Sequence, residues 1–180
     1  MAIEEIHKTI TIPVSYADGK PKFLTARDRQ FKEWIFITGG CRKSEVLNPL
    51  RCALRELYEE TRGIVNIRKG SYVCYTFSKE MFSNTVTTYH VYIIDFNVSV
   101  AEQLNIVKKF NELRREMEII KMKNLPFRRT WDENDALSFD TLDEFTKRPN
   151  KWKLITDNVL QNQNFYTALN SPEYKNFNLN

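Results

Sequence analysis

Along the first 40 residues, β-branched and aromatic side chains gather in short runs broken by turn chemistry. Ile6, residues 9–13 and Val14 predict a strand, and Asp18-Gly19-Lys20-Pro21 predicts a turn. Residues 22–27 predict a second strand, and the charged stretch 28–32 a loop. Trp34-Ile35-Phe36-Ile37-Thr38 predicts a compact buried strand that stops at Gly39-Gly40. The period then changes. Leu50, Ala53, Leu54, Leu57 and Tyr58 recur at spacings of three and four, the stripe of a helix. Asn48 is its expected N-cap, Pro49 suits its first position, and Gly63 marks its stop.

Strands are expected next at 64–67, 71–77 and 87–98, with a loop at 79–85. The β-branched and aromatic run 89–96 has the character of a central strand. A second helix is predicted at 100–122. Ser99 and Glu102 form a capping box, and Leu104, Val107, Phe110, Leu113, Met117 and Ile120 form its apolar stripe. Asn124-Leu125-Pro126 ends it. A short strand at 137–139, a turn or helix at 141–146 and a terminal helix at 152–161 complete a single domain spanning 1–162. Residues 163–180 are Asn-rich and polar and read as a loosely held tail.

Composition narrows the class. With 42% hydrophobic and 28% charged residues, a wholly disordered or fibrous chain is excluded. No apolar run approaches the roughly 20 residues of a membrane helix, so no membrane partner is expected. The start lacks the order of a signal peptide, and Cys41, Cys52 and Cys74 are too few for a disulfide framework. An intracellular, cytoplasmic protein is the expectation. The net charge of +4 conceals a segment, 108–129, that carries +5 by itself. Such a run is either a solvated helix face or a surface for a phosphate-rich ligand.

The chemistry gathers on the first helix. Glu56, Glu59 and Glu60 stand at i, i+3 and i+4, so three carboxylates share one face. Their mutual repulsion is offset if they share a divalent cation, and anionic oxygen donors suit Mg²⁺ or Mn²⁺. Arg55 stands beside them, able to orient a carboxylate by paired hydrogen bonds. An R-E-x-x-E-E run alone is often a solvated face. Its place after a buried strand, a double glycine and a capped helix start argues for a site.

Gly39-Gly40, Glu45, Arg55-Glu56-Leu57-Tyr58-Glu59-Glu60 and Gly63-Ile64 together resemble the Nudix box, G-x5-E-x7-R-E-U-x-E-E-x-G-U with U aliphatic. The central R-E-U-x-E-E matches completely, and Gly39 to Glu45 keeps the family spacing. Two departures stand out. Nine residues separate Glu45 from Arg55 instead of seven, and Gly63 comes one residue late. Aligning Pro49 with the helix-start proline common in the family would put Leu47 in the place of the box glutamate. The resemblance covers about residues 8–160. It implies an α/β Nudix sandwich with a mixed central sheet, here with the long basic helix 100–122 inserted. It also implies a pyrophosphohydrolase using Mg²⁺ or Mn²⁺, with Glu56, Glu59 and Glu60 as metal ligands and Arg55, Glu59 and Glu60 in catalysis. A further carboxylate from a late acidic loop often serves as ligand or base in this family. Glu133 is the favoured candidate here, with Asp132 and Asp135 beside it and Glu116 and Glu118 as weaker ones.

The box does not specify the group attached to the nucleoside diphosphate. The basic run and a supply of aromatics, Trp34, Tyr72, Tyr75, Phe77, Phe82, Tyr89 and Trp131, lean toward capped RNA. Of these, Trp34, Tyr75 and Tyr89 sit in strands and suit the core. Lys108, Lys109, Arg114, Arg115, Arg27 and Gly40 are the expected substrate contacts. Thr38-Gly39-Gly40-Cys41-Arg42-Lys43 with Arg51-Cys52-Ala53 is also similar to Nudix proteins of large DNA viruses, some acting on mRNA caps and some on ADP-ribose. Two other readings stay open. One is a small-molecule pyrophosphatase for ADP-ribose, dinucleoside polyphosphates or nucleotides. The other is a non-catalytic RNA-binding module, supported by the displaced Glu45.

Overall fold

The structure, a computed structural model, describes residues 2–171 and 173–180. One mixed sheet contains β1 (Glu4–Ser15), β2 (Lys22–Asp28), β3 (Trp34–Ile35), β4 (Ile37–Gly40), β5 (Lys69–Met81), β6 (Thr85–Asp95), β7 (Asn134–Thr141) and β8 (Lys175–Asn178). The helices are α1 (Pro49–Glu60), α2 (Val100–Met122), α3 (Leu142–Thr146), α4 (Lys153–Ile155), which runs into a π-helical turn at Thr156–Leu160, and α5 (Gln163–Leu169). The hub is β1. It lies parallel to β6 from Glu4 to Val14. Its other edge is shared, with Lys8–Thr11 paired to β4 and Val14–Ser15 to β2. The sheet therefore forks, and β2 carries β3 and β7 away from β4.

The predicted strand 34–38 spans this fork and is two strands. Trp34–Ile35 pairs with β2, whereas Ile37–Gly40 pairs with β1 and runs through both glycines. Trp34 and Phe36 enter one core with Ile10, Ile12 and Val14, and Ile35 and Ile37 enter another with Leu24, Leu57 and Phe110. Both faces are buried, so the change of partner leaves no mark in the hydrophobic pattern. The two cores form a layered sandwich. On one side α1 and α2 cover the sheet, with Thr11 Oγ1 donating to the Ala53 carbonyl at 3.2 Å. On the other lie Phe145, Leu154, Ile155, Val159 and Phe165 from the C-terminal helices.

Several expectations are corrected. Residues 64–67 form no strand, although Val65 is buried. The expected loop 79–85 shrinks to three residues between β5 and β6, where Ser83 and Asn84 adopt φ of 74° and 56°. Asn48 precedes α1 but its side chain makes no capping bond. Helix α2 has the predicted bounds and the predicted Ser99–Glu102 box, yet it buries only Gln103, Phe110 and Met117, spaced by seven. Leu104 is exposed, because the contact is a narrow seam and not a broad face. The predicted terminal helix splits into α4 and the π-helical turn. The stretch after Gln163 is not loosely held: Phe165 is fully buried, and β8 extends the sheet beside β5. Two apolar anchors, Phe165 and Ala168, suffice to dock a segment whose other side chains are largely polar.

Candidate active site

Strand β4 delivers Gly39 and Gly40 to the side of α1. Glu56 lies directly over Gly39, where a Cβ would fall 2.1 Å from Glu56 Cδ. Arg55 organises the rest. Its Nη1 donates to Glu56 Oε1 at 2.8 Å and to Glu59 Oε2 at 3.1 Å, and its Nη2 donates to the Gly40 carbonyl at 3.0 Å. Arg55 also binds Glu45 through both carboxylate oxygens, at 2.8 and 2.9 Å.

That pairing decides the uncertain register of the box. Glu45 is buried at the end of a 3₁₀ turn, where its side chain also accepts the Arg42 N–H at 2.8 Å. Leu47 is 99% exposed and takes no part. The two additional residues are absorbed in the loop between that turn and α1. The Arg55 guanidinium holds the Glu45 carboxyl below the usual carboxylate range, against an opposing effect of burial. With Glu45 in contact with the site, the support for a non-catalytic scaffold is removed.

The second half of the site is Glu60 facing Glu133. Glu60 is buried, and its carboxyl is pushed well up, first by burial and then by the nearby Glu56 and Glu133 charges. Partial burial also raises Glu133, with the Glu60 carboxyl opposing and the Glu59 and Asp28 charges adding. Glu56 is pushed up to about 7, chiefly by burial, with Arg55 opposing and Glu59 and Glu133 adding. Glu60 Oε2 is buried without a hydrogen-bond partner, and the raised carboxyls of Glu56, Glu60 and Glu133 show that these anionic oxygens crowd one another. The donor chemistry fits a hard divalent cation held by Glu56, Glu59, Glu60 and Glu133. Among the described residues no three such side chains already converge as a cage, since Arg55 draws Glu56 and Glu59 to itself.

The other loop carboxylates are neutralised. Asp132 meets Arg29 at 3.0 Å and Lys121 at 2.9 Å, and Asp135 pairs with Arg27 at 2.8 Å and with Lys32. Glu118 bonds Arg29, and Glu116 is exposed on α2. Glu133 alone of the loop's three acids turns to the α1 carboxylates. A cavity of about 550 Å³ opens beside it, lined by Gly39, Gly40, Glu60, Glu133, Asp28, Phe31, Glu33 and Trp152 among others. Gly40 is thus at the pocket, as expected, while Arg27 is engaged with Asp135 and does not line it. Arg114 and Arg115 line a neighbouring groove with Arg29 and Lys32; Lys108 and Lys109 are exposed on α2 and line neither. None of the seven aromatics singled out from sequence lines this cavity. Trp34 and Tyr89 are core residues, and Phe82 stands 97% exposed at the β5–β6 turn.

A family model for the NUDIX domain matches residues 6–157. The chain belongs to the NUDIX family. This NUDIX protein shares its fold with solved structures of low sequence identity. RenU, a Nudix hydrolase from M. smegmatis, superposes with a TM-score of 0.59 at 13% identity, covering 96% of this chain and 90% of RenU. The MutT protein of Methanosarcina mazei Go1 gives 0.57 at 13%, covering 95% and 99%. A C. elegans Ap4A hydrolase gives 0.54 at 12%, covering 92% and 98%. No curated protein sequence matches the chain closely enough to count as a relative. NUDIX hydrolases cleave diphosphate linkages and generally use divalent cations such as Mg²⁺ or Mn²⁺, so this chain is a pyrophosphohydrolase. Among the described residues no helix is long and apolar enough to cross a membrane.

Sequence reasoning missed three contributors. Phe31 and Trp152 line the pocket from a charged loop and from the entry to α4, where no periodicity singles them out. Arg62, just before the helix stop at Gly63, was not singled out. It is 2% exposed, with φ of +57°, and occupies the place where the box has its glycine. An arginine at that position was the available signal.

Proposed function

We propose that this NUDIX protein is a metal-dependent hydrolase that cleaves the diphosphate linkage of capped RNA. The carrying observation is the pocket beside the α1 carboxylates. Two aromatic side chains, Phe31 and Trp152, share it with acids that include Asp28 and Glu33. Aromatic faces suit a purine ring. A carboxylate suits the paired N–H donors on the edge of guanine, and the positive charge of a guanine methylated at N7. The Glu33 carboxylate makes no ion pair or hydrogen bond among the described residues and is free for such a contact.

In this reading the base occupies the aromatic end and the diphosphate lies along Gly39-Gly40. Glu56, Glu59, Glu60 and Glu133 would hold a divalent cation, which would supply positive charge to the diphosphate. Arg55 fixes Glu56 and Glu59. Glu60 and Glu133, both at the pocket, are the carboxylates placed to take a proton from the attacking water when ionised. Arg114 and Arg115 border the groove that shares Arg29 with the pocket, a path for the RNA backbone.

The second reading, a small-molecule pyrophosphatase, draws on the same groove. Arg29 and Lys32 are already paired with Glu118, Asp132 and Asp135, which lowers the charge left for RNA. Fold neighbours include the C. elegans Ap4A hydrolase and a Shewanella oneidensis NrtR domain solved with ADP ribose. A panel of capped RNA, ADP-ribose, dinucleoside polyphosphates and free nucleotides separates the two. Release of methylated GDP, lost in Glu59→Gln and Glu60→Gln, supports decapping. Charge reversal at Lys108, Lys109, Arg114 and Arg115 should weaken the RNA reaction alone. Faster turnover of free ADP-ribose, indifferent to those reversals, would establish the second reading.

A further inference from the structure

Arg62 stands just past α1, two residues after Glu60, yet its side chain points away from the pocket into the protein. Its Nε donates to the Trp131 carbonyl at 2.6 Å, its Nη2 to the Asn134 carbonyl at 3.0 Å and its Nη1 to the Phe110 carbonyl of α2 at 3.1 Å. The guanidinium lies over the Phe110 ring, 4.2 Å from its centroid. Burial pushes it down to about 10, with Asp132 opposing, and it stays charged at neutral pH. Residues 131 and 134 bracket Glu133. The carbonyl of Glu133 itself accepts the Arg29 N–H at 2.9 Å.

We propose that Arg62 is a positioning residue that clamps the turn carrying Glu133 and so sets that carboxyl against Glu60. The reason is geometric. Glu133 is exposed just before β7, between half-buried Asp132 and buried Asn134, and small displacements at a reacting centre are costly. Fixing the turn needs donors aimed at its carbonyls from a rigid base. Arg62 grows from the end of the helix that bears Glu60, so the two carboxyls are set from one foundation. A planar guanidinium spans carbonyls three residues apart, which an ammonium cannot do at once. Buried and charged, Arg62 is held by three backbone acceptors and an aromatic face rather than by a close carboxylate. The same clamp reaches α2 through Phe110, so the basic helix and the Glu133 turn move as one unit. The catalytic consequence rests on the proposed role of Glu133; the clamp itself does not.

The test compares Arg62→Lys, Glu133→Gln and the double variant in the full chain. Hydrogen exchange is read at residues 129–134 and, as a control, in β1 and β6. In Arg62→Lys exchange in the turn should rise about tenfold or more while the central strands hold. With the best substrate of the panel, kcat should fall about 100-fold and KM change little. In the Glu133→Gln background Arg62→Lys should add almost nothing to the loss. Unchanged exchange in the turn overturns the clamp, whatever the activity. A loss that multiplies fully onto that of Glu133→Gln also overturns it, because Arg62 would then act elsewhere. If the turn loosens but Glu133→Gln retains kcat, the clamp stands and the proposed role of Glu133 fails. Should Arg62→Lys not fold, Phe110→Leu provides the milder probe: it should loosen the same turn, and protection equal to the native protein's would count against the clamp.

Discussion

The carboxyl of Glu56 rests on the Cα of Gly39, so close that a methyl group at residue 39 would fall 2.1 Å from Glu56 Cδ and 2.4 Å from Oε2. Gly39 is paired with Thr9 in β4, an extended position that alanine tolerates. The side chain must therefore yield, not the strand. Gly39→Ala should displace Glu56 from Arg55 and lower kcat about 100-fold. The thermal midpoint should move only a few degrees, since the shift of one half-buried side chain costs about 1 kcal/mol. Full activity in Gly39→Ala would show that the position of Glu56 is unimportant.

The register of the box separates Glu45 from Leu47 by stability. Glu45 is buried and forms two hydrogen bonds with Arg55. Truncating one member of such a pair leaves a charge under-compensated. Glu45→Ala should cost about 3 kcal/mol in chemical denaturation. Leu47→Ala, at a fully exposed site, should stay within about 0.5 kcal/mol. Equal effects would mean that the salt bridge contributes nothing distinctive.

The contrast also shows what was legible beforehand. The α1 carboxylates, Arg55 and the bounds of α2 follow from local rules: periodicity, a capping box, a helix-start proline. Glu133 was singled out from three neighbouring acids; in the structure Arg29, Lys121, Arg27 and Lys32 pair with the other two. What was not legible depends on distant partners. Glu45 is in place because a loop absorbs two residues. Trp34 through Gly40 changes partner strand without changing pattern. Phe165 and Ala168 alone dock a largely polar segment. The pocket aromatics are set by tertiary proximity, to which a local composition rule is blind.

Acid should find Asp135. Burial by itself would raise this carboxyl, but Arg27 and Lys32 outweigh it and hold it below its ordinary 3.8. The folded state thus binds its proton less readily than the unfolded chain. The pair's stabilisation is fully present above the ordinary carboxylate value and is lost as pH falls through the depressed one. Asp135→Asn should be less stable at neutral pH and lose less between about pH 5 and pH 2. Denaturation midpoints at a series of pH values test this. Parallel curves for the native protein and the variant would refute the assignment.

Phe31 gives the most direct test of the base pocket. Its side chain is 66% exposed, so removing it should change stability by less than about 0.5 kcal/mol. Trp152 is a poorer probe. Its ring packs against both cores, so its loss would mix binding with folding. If Phe31 stacks on the base, Phe31→Ala forfeits about 1–3 kcal/mol of stacking. That contact is made equally in the ground and transition states, so KM should rise about tenfold or more while kcat holds. Replacement by Trp should restore the affinity, because any flat ring offers a face to the base. An unchanged KM in Phe31→Ala, measured on the substrate that the protein turns over fastest, would move the base elsewhere in the cavity.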